Sequence, residues 1–172
     1  FAHLGSPAQY EDFLSWKKTI EDESNRSLKF KNPNIMLMGG EGKRIKDLNV
    51  QKPFLKVKKY EIFEYIFKKF GSDNNIVITN KKYIKKIQKN KIKTHLILKT
   101  KSMLSTVEKS DEIFRKYKNF FLTSCDCYGE FEKRDFNNFL KKNNPDLVIF
   151  GYNFSNLQKS LINSHTTLEI RK

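Results

Sequence analysis

Four apolar residues, Ile35-Met36-Leu37-Met38, run straight into Gly39, Gly40 and Gly42, and the pair Lys43-Arg44 follows. No other segment constrains the fold as much. A short apolar run of this kind reads as a buried strand. The glycines that end it leave a backbone that can take unusual conformations and lie close to a ligand. Bare amides beside fixed positive charge suit a polyphosphate. The spacing excludes a P-loop, which needs four residues between its glycines and then Gly-Lys-Ser/Thr. It also departs from the dinucleotide fingerprint, because Ile45 stands where the third Gly or Ala belongs. A plain tight turn is the competing reading.

The residues that follow predict an alternation of strands and helices. Gln51-Lys-Pro-Phe-Leu-Lys-Val57 comes after a short polar stretch, and apolar residues recur at helical spacing over residues 60–70. Residues 75–79 read as a second strand, 81–89 as a basic helix and 94–98 as a third strand. Residues 107–117 read as a helix, and 120–126 as a fourth strand with Asp126 at its carboxyl end. Beyond it, 133–143 reads as a helix, and 146–151 and 166–171 as strands. Turn chemistry marks 71–75 and 143–146. This order predicts βαβ units and an α/β fold on a parallel sheet. Such sheets bind ligands outside the carboxyl ends of their strands, where the glycines and Asp126 are expected. Helix capping is the alternative role for Asp126.

Residues 1–31 stand apart. They carry a short amphipathic helix over 11–21 and a polar loop over 22–27, and read as an extension or the tail of a preceding domain. Residues 32–172 form the expected domain.

Three pieces of this pattern, taken together, resemble the sugar-1-phosphate nucleotidyltransferases. That family shows an apolar strand, Gly-Gly-x-Gly-Thr-Arg-Leu, a variable polar stretch, Lys-Pro-hydrophobic, and a helix. Here the residues are Gly39-Gly40-Glu41-Gly42-Lys43-Arg44-Ile45 and then Lys52-Pro53-Phe54-Leu55. Lys43 replaces the usual Thr. Leu104-Ser105-Thr106 falls where the family has Leu-Gly-Thr, and Cys125-Asp126 where it has Gly-Asp. The resemblance covers about residues 33–171. It implies a three-layer, open, mainly parallel sheet of the Rossmann-like nucleotidyltransferase type. It also implies transfer of a nucleotidyl group from an NTP to a sugar-1-phosphate, releasing pyrophosphate, for nucleotide-sugar and surface-polysaccharide biosynthesis. On this footing Gly39, Gly40, Gly42, Lys43 and Arg44 bind the triphosphate, and Ser105 and Thr106 border the base and ribose. Arg44 and Lys52 serve catalysis, and Asp126 holds Mg2+. The family's core usually runs further and supplies a second metal-binding Asp, for which this sequence has no match. The expected domain is therefore incomplete at its carboxyl end.

Composition bounds the rivals. The 172 residues fit one domain. No apolar run approaches the roughly 20 residues of a membrane span. The first residues lack the basic start and apolar core of a signal peptide. The chain opens on Phe1, so a processed, trimmed or only partly represented chain is expected. The net charge of +15 comes from 29 Lys and only 5 Arg. That bias argues against a dedicated nucleic-acid surface, which favours Arg for bidentate contacts. Cys125 and Cys127 have no partner pair for a zinc site, and reduced thiols in the cytoplasm are expected. His3, His95 and His165 are scattered and are given no role. The expected partners are the NTP and sugar-1-phosphate, without membrane or nucleic acid, and a homo-oligomer stays open. Two alternatives remain: a non-catalytic or regulatory transferase-like domain, and a basic nucleic-acid-binding module.

Overall fold

The computed structural model describes residues 30–40, 51–57, 59–70, 72–90, 92–126 and 131–150. Gly42, Lys43 and Arg44 lie outside the described residues. So do the helix expected over 11–21, the strand expected over 166–171, Cys127, His3 and His165.

Strand β1, Asn34–Met38, is buried at all five positions. A parallel strand covered on both faces has no polar alternation, which is why the sequence shows an unbroken apolar run. After β1 come a 3-10 turn at Lys52–Phe54 and a short antiparallel pair, β2 (Lys56–Val57) with β3 (Tyr60–Glu61). Helix α1 spans Ile62–Lys69, β4 Asn75–Thr79, α2 Ile84–Gln88 and β5 Lys93–Leu96. Helices α3 (Met103–Glu108) and α4 (Asp111–Phe114), strand β6 (Phe121–Ser124) and helix α5 (Lys133–Asn143) complete the described order. The sheet runs β5-β4-β1-β6 and all its pairings are parallel. The architecture is α/β, as the alternation predicts.

Side chains leave β1 to opposite faces with period two. Met36, Met38 and Val77 join one core cluster with Phe63, Ile66 and Phe67 of α1, and with Tyr83 and Ile87. Ile35, Leu37, Ile76 and Ile78 form a second cluster, against which Val107, Ile113, Phe114 and Tyr117 pack. The strand order accounts for this division, since crossovers between parallel strands are as a rule right-handed. The steps β1 to β4 and β4 to β5 move one way across the sheet, so α1 and α2 share a face. The return from β5 to β6 reverses direction and puts α3 and α4 on the other.

Strand β5 covers Lys93–Leu96 where 94–98 is expected, and β6 covers Phe121–Ser124 where 120–126 is expected. Four further elements differ from the sequence reading, each for a local reason. Helix α1 starts at Ile62, not at 60, because Tyr60 and Glu61 pair with β2. The Glu61 N–H then donates to the Glu64 carboxylate at 2.8 Å, closing a capping box. Helix α2 keeps only Ile84–Gln88 of the expected 81–89, because residues 81–83 form a turn. The helix expected over 107–117 is two helices broken at Lys109 and Ser110. The first begins early because Ser102 Oγ accepts from the Ser105 N–H at 3.1 Å. The second starts on acidic Asp111 and Glu112, which suit a helix amino end. Residues 146–150 form no strand, and Leu147 and Ile149 are 74% and 63% exposed. An apolar run becomes a strand only by pairing, and this one pairs with none of the described strands. Among the described residues, no helix is long and apolar enough to cross a membrane.

The two-cluster core predicts sharply unequal costs for truncation. Phe63→Ala, at a site with no exposure, is expected to lose about 3–5 kcal/mol of stability. Leu122→Ala, on β6, the last strand of the described sheet, and half exposed, is expected to lose under about 1 kcal/mol. Urea unfolding of both variants checks the assignment, and equal losses would contradict it.

Candidate functional site

Because the strands are parallel, their carboxyl ends share one edge. The chain leaves β1 toward β4 and only later returns to pair β6 on the other side of β1. The gap beyond the ends of β1 and β6 is therefore a topological switch point, where open α/β sheets commonly bind ligands.

Gly39 and Asp126 both reach this edge. Leu37 is paired with Ser124, and each of the two residues lies two positions further along its chain. Asp126 is not the cap residue of α5, whose cap position is Glu132. Its Oδ2 forms an ion pair with Lys52 Nζ. Its Oδ1 accepts a hydrogen bond from Ser124 Oγ at 2.6 Å. The two side chains are only 15% and 13% exposed, so the pair is shielded from bulk water. Lys52 gets there because the turn it opens is fastened to the core. Pro53 and Phe54 are buried, and the Phe54 ring lies 5.6 Å from that of Phe63 and 5.4 Å from that of Tyr83.

The two described glycines do different work. Neither has a left-handed backbone. A Cβ on Gly39 would come 2.9 Å from Thr106 Oγ1 and 3.1 Å from Thr100 Oγ1, so glycine is required there for space. Among the described residues, a Cβ on Gly40 would meet nothing within 4 Å.

Ser105 and Thr106 lie within α3, not in a loop. Thr106 is 2% exposed, and its hydroxyl is committed to Thr100 Oγ1 at 2.6 Å and to the Ser102 carbonyl at 3.0 Å. Ser105 is half-buried, with its hydroxyl 3.0 Å from that of Ser102. The structure thus brings Thr106 against Gly39, and Lys52 against Asp126, at the same sheet edge.

Three residues at this edge were not singled out from sequence. Thr79 Oγ1 donates to the Met38 carbonyl at 3.3 Å, Asn80 Nδ2 to the Gly39 carbonyl at 3.2 Å, and Tyr83 OH to the Gly40 carbonyl at 3.3 Å. The available signal was an Asn just after an apolar strand. Its side chain turns the backbone by accepting from the Lys82 N–H at 3.0 Å.

Cys125 is partly buried and packs against the first core cluster. Burial, and secondarily the Asp126 charge, push its thiol well above the usual cysteine range. These surroundings favour its neutral thiol over a reactive thiolate. Among the described residues, no group of three or more His, Cys, Asp or Glu could hold a metal. Asp126 offers one carboxylate that already holds a cation, the Lys52 ammonium. A hard cation there would draw its other ligands from water and phosphate oxygens, a common arrangement for Mg2+.

No protein-family model, curated protein or solved structure matches this chain.

The glycine geometry gives a paired prediction. Gly39→Ala is expected to cost about 1–3 kcal/mol, because the Thr106 and Thr100 hydroxyls bond each other and cannot easily yield. Gly40→Ala is expected to stay within about 0.5 kcal/mol of the parent. Chemical denaturation of both variants checks the difference.

Proposed function

We propose that this chain is a nucleotidyltransferase domain that moves an NMP group from an NTP to a sugar-1-phosphate and releases pyrophosphate. One observation carries the reading. Lys52, from the Lys-Pro segment, and Asp126, at the end of β6, form a shielded ion pair at the switch point where the glycine-rich strand ends. Glycines, Lys-Pro and Asp are the three pieces of the family resemblance. Two core clusters on opposite faces of the sheet favour the three-layer, Rossmann-like arrangement.

In this reading the sugar-phosphate oxygen attacks the α-phosphorus in line. A bond forms from that oxygen to phosphorus, and the bond from phosphorus to the bridging β-phosphate oxygen breaks. The protein contributes position and charge more than covalent help. The exposed Gly40 backbone, with Gly42, Lys43 and Arg44 beyond it, receives the triphosphate. Lys52 exchanges Asp126 for a phosphate oxygen near the reacting centre, and Arg44 neutralises the departing pyrophosphate. Magnesium, when bound at Asp126, neutralises phosphate charge there. Ser105 borders the base, while Thr106 acts indirectly by shaping the space at Gly39.

The test is a pyrophosphate-release screen of the four NTPs against a panel of sugar-1-phosphates, with Mg2+. Release with at least one pair is expected. Lys52→Ala should then lower turnover on the order of a hundredfold, the loss of ~3 kcal/mol of charge stabilisation. Asp126→Asn should stay folded by circular dichroism and lose its magnesium-dependent turnover, because the amide lacks the charge a hard cation needs. NTP binding without release would identify a non-catalytic domain instead. Strongly salt-dependent RNA or DNA binding without NTP affinity would identify a nucleic-acid module.

A further inference from the structure

We propose that Asn80 and Tyr83 are positioning residues for the phosphate-binding backbone, and the proposal rests on the nucleotidyltransferase reading. Three consecutive carbonyls at the end of β1, those of Met38, Gly39 and Gly40, each accept a side-chain hydrogen bond. All three donors, Thr79, Asn80 and Tyr83, come from the end of β4 and the turn into α2. Ladder hydrogen bonds cannot hold Gly39 and Gly40, because the paired register ends at Met38 and Thr79. Side chains take over where the sheet stops.

The donors are themselves fixed. Thr79 is fully buried, Asn80 is 9% exposed and Tyr83 is 2% exposed. The Asn80 oxygen accepts from the Lys82 N–H, which orients its NH2 group onto the Gly39 carbonyl. The Tyr83 ring packs in the first core cluster beside Phe54, so its hydroxyl position is set by packing.

The consequence follows from the planar trans peptide, whose C=O and N–H point in opposite directions. With its carbonyl turned to Asn80 on the β4 side, the Gly39–Gly40 peptide directs the Gly40 N–H toward the β6 side. That is where Lys52 and Asp126 meet. The clamp also ties down two carbonyl oxygens that would otherwise be free to turn toward the phosphates. Amides then meet a polyanion without reorganising when it binds.

Tyr83→Phe deletes one hydroxyl and keeps the ring in the core. Asn80→Ala removes the second donor. The readout is calorimetric binding of the four NTPs with Mg2+, compared with binding of the matching nucleosides. Each variant is expected to weaken triphosphate binding about threefold to tenfold, as for loss of one hydrogen bond. Nucleoside binding should not change, since the clamp acts on the phosphate end alone. The Gly40 amide resonance should shift in Asn80→Ala, which frees the carbonyl of the same peptide, while the amides of β1 stay in place. Parental triphosphate affinity in both variants would overturn the clamp and leave the nucleotidyltransferase reading intact. Equal loss for triphosphate and nucleoside would also overturn it, by showing a general structural role. A parent chain that binds no triphosphate would fail the nucleotidyltransferase reading, and the clamp with it.

Discussion

Parallel pairing of β1 with both β4 and β6 is the constraint on which the rest depends. Parallel strands cannot be joined by a tight turn, so the chain must cross back over a face after each one. Every strand of this sheet therefore ends at the same edge. Gly39, Asn80 and Asp126, which are far apart in sequence, become neighbours of one rim for this reason. The same crossings supply the cover that buries β1, and burial on both faces demands the continuous apolar run Ile35–Met38. One topological fact thus fixes the core and the location of the chemistry.

At that rim, packing and chemistry are shared out between adjacent residues. Gly39 is a glycine because the Thr100–Thr106 hydroxyl pair occupies the volume a Cβ would need. A Cβ on Gly40, one residue on, would meet none of the described residues. Lys52 is held over Asp126 by its neighbours Pro53 and Phe54, which are sunk in the core. In each case a buried group sets the position of a more exposed one. Rigid support of this kind limits the reorganisation that binding a charged ligand would need.

The Lys52–Asp126 pair also gives the site its charge balance. A carboxylate left alone at 13% exposure would be costly, and the ammonium offsets that cost. The neighbouring Cys125 thiol responds to the same surroundings, since burial and the nearby carboxylate both disfavour its thiolate. The first core cluster runs from α1 through Phe54 and Tyr83 to Cys125, so the hydrophobic packing continues up to the polar edge.

The sequence by itself determined the order and type of the main elements. The apolar run of β1, the run at Asn75–Thr79 and the helix Lys133–Asn143 were legible because periodicity and turn chemistry are local properties of a chain. Lys52 and Asp126 were legible as candidates because their motifs are local as well. Their contact was not, because it depends on how a crossover returns to the sheet. The break at Ser110 and the unpaired run at 146–150 were hidden for a related reason. A helix can be split by competing start signals, and a strand exists only where an edge receives it. The side-chain ties from Thr79, Asn80 and Tyr83 to three successive carbonyls belong wholly to the tertiary structure. No pattern in residues 79–83 names the backbone they hold, since those carbonyls lie some forty residues earlier and meet them only through the β1–β4 pairing.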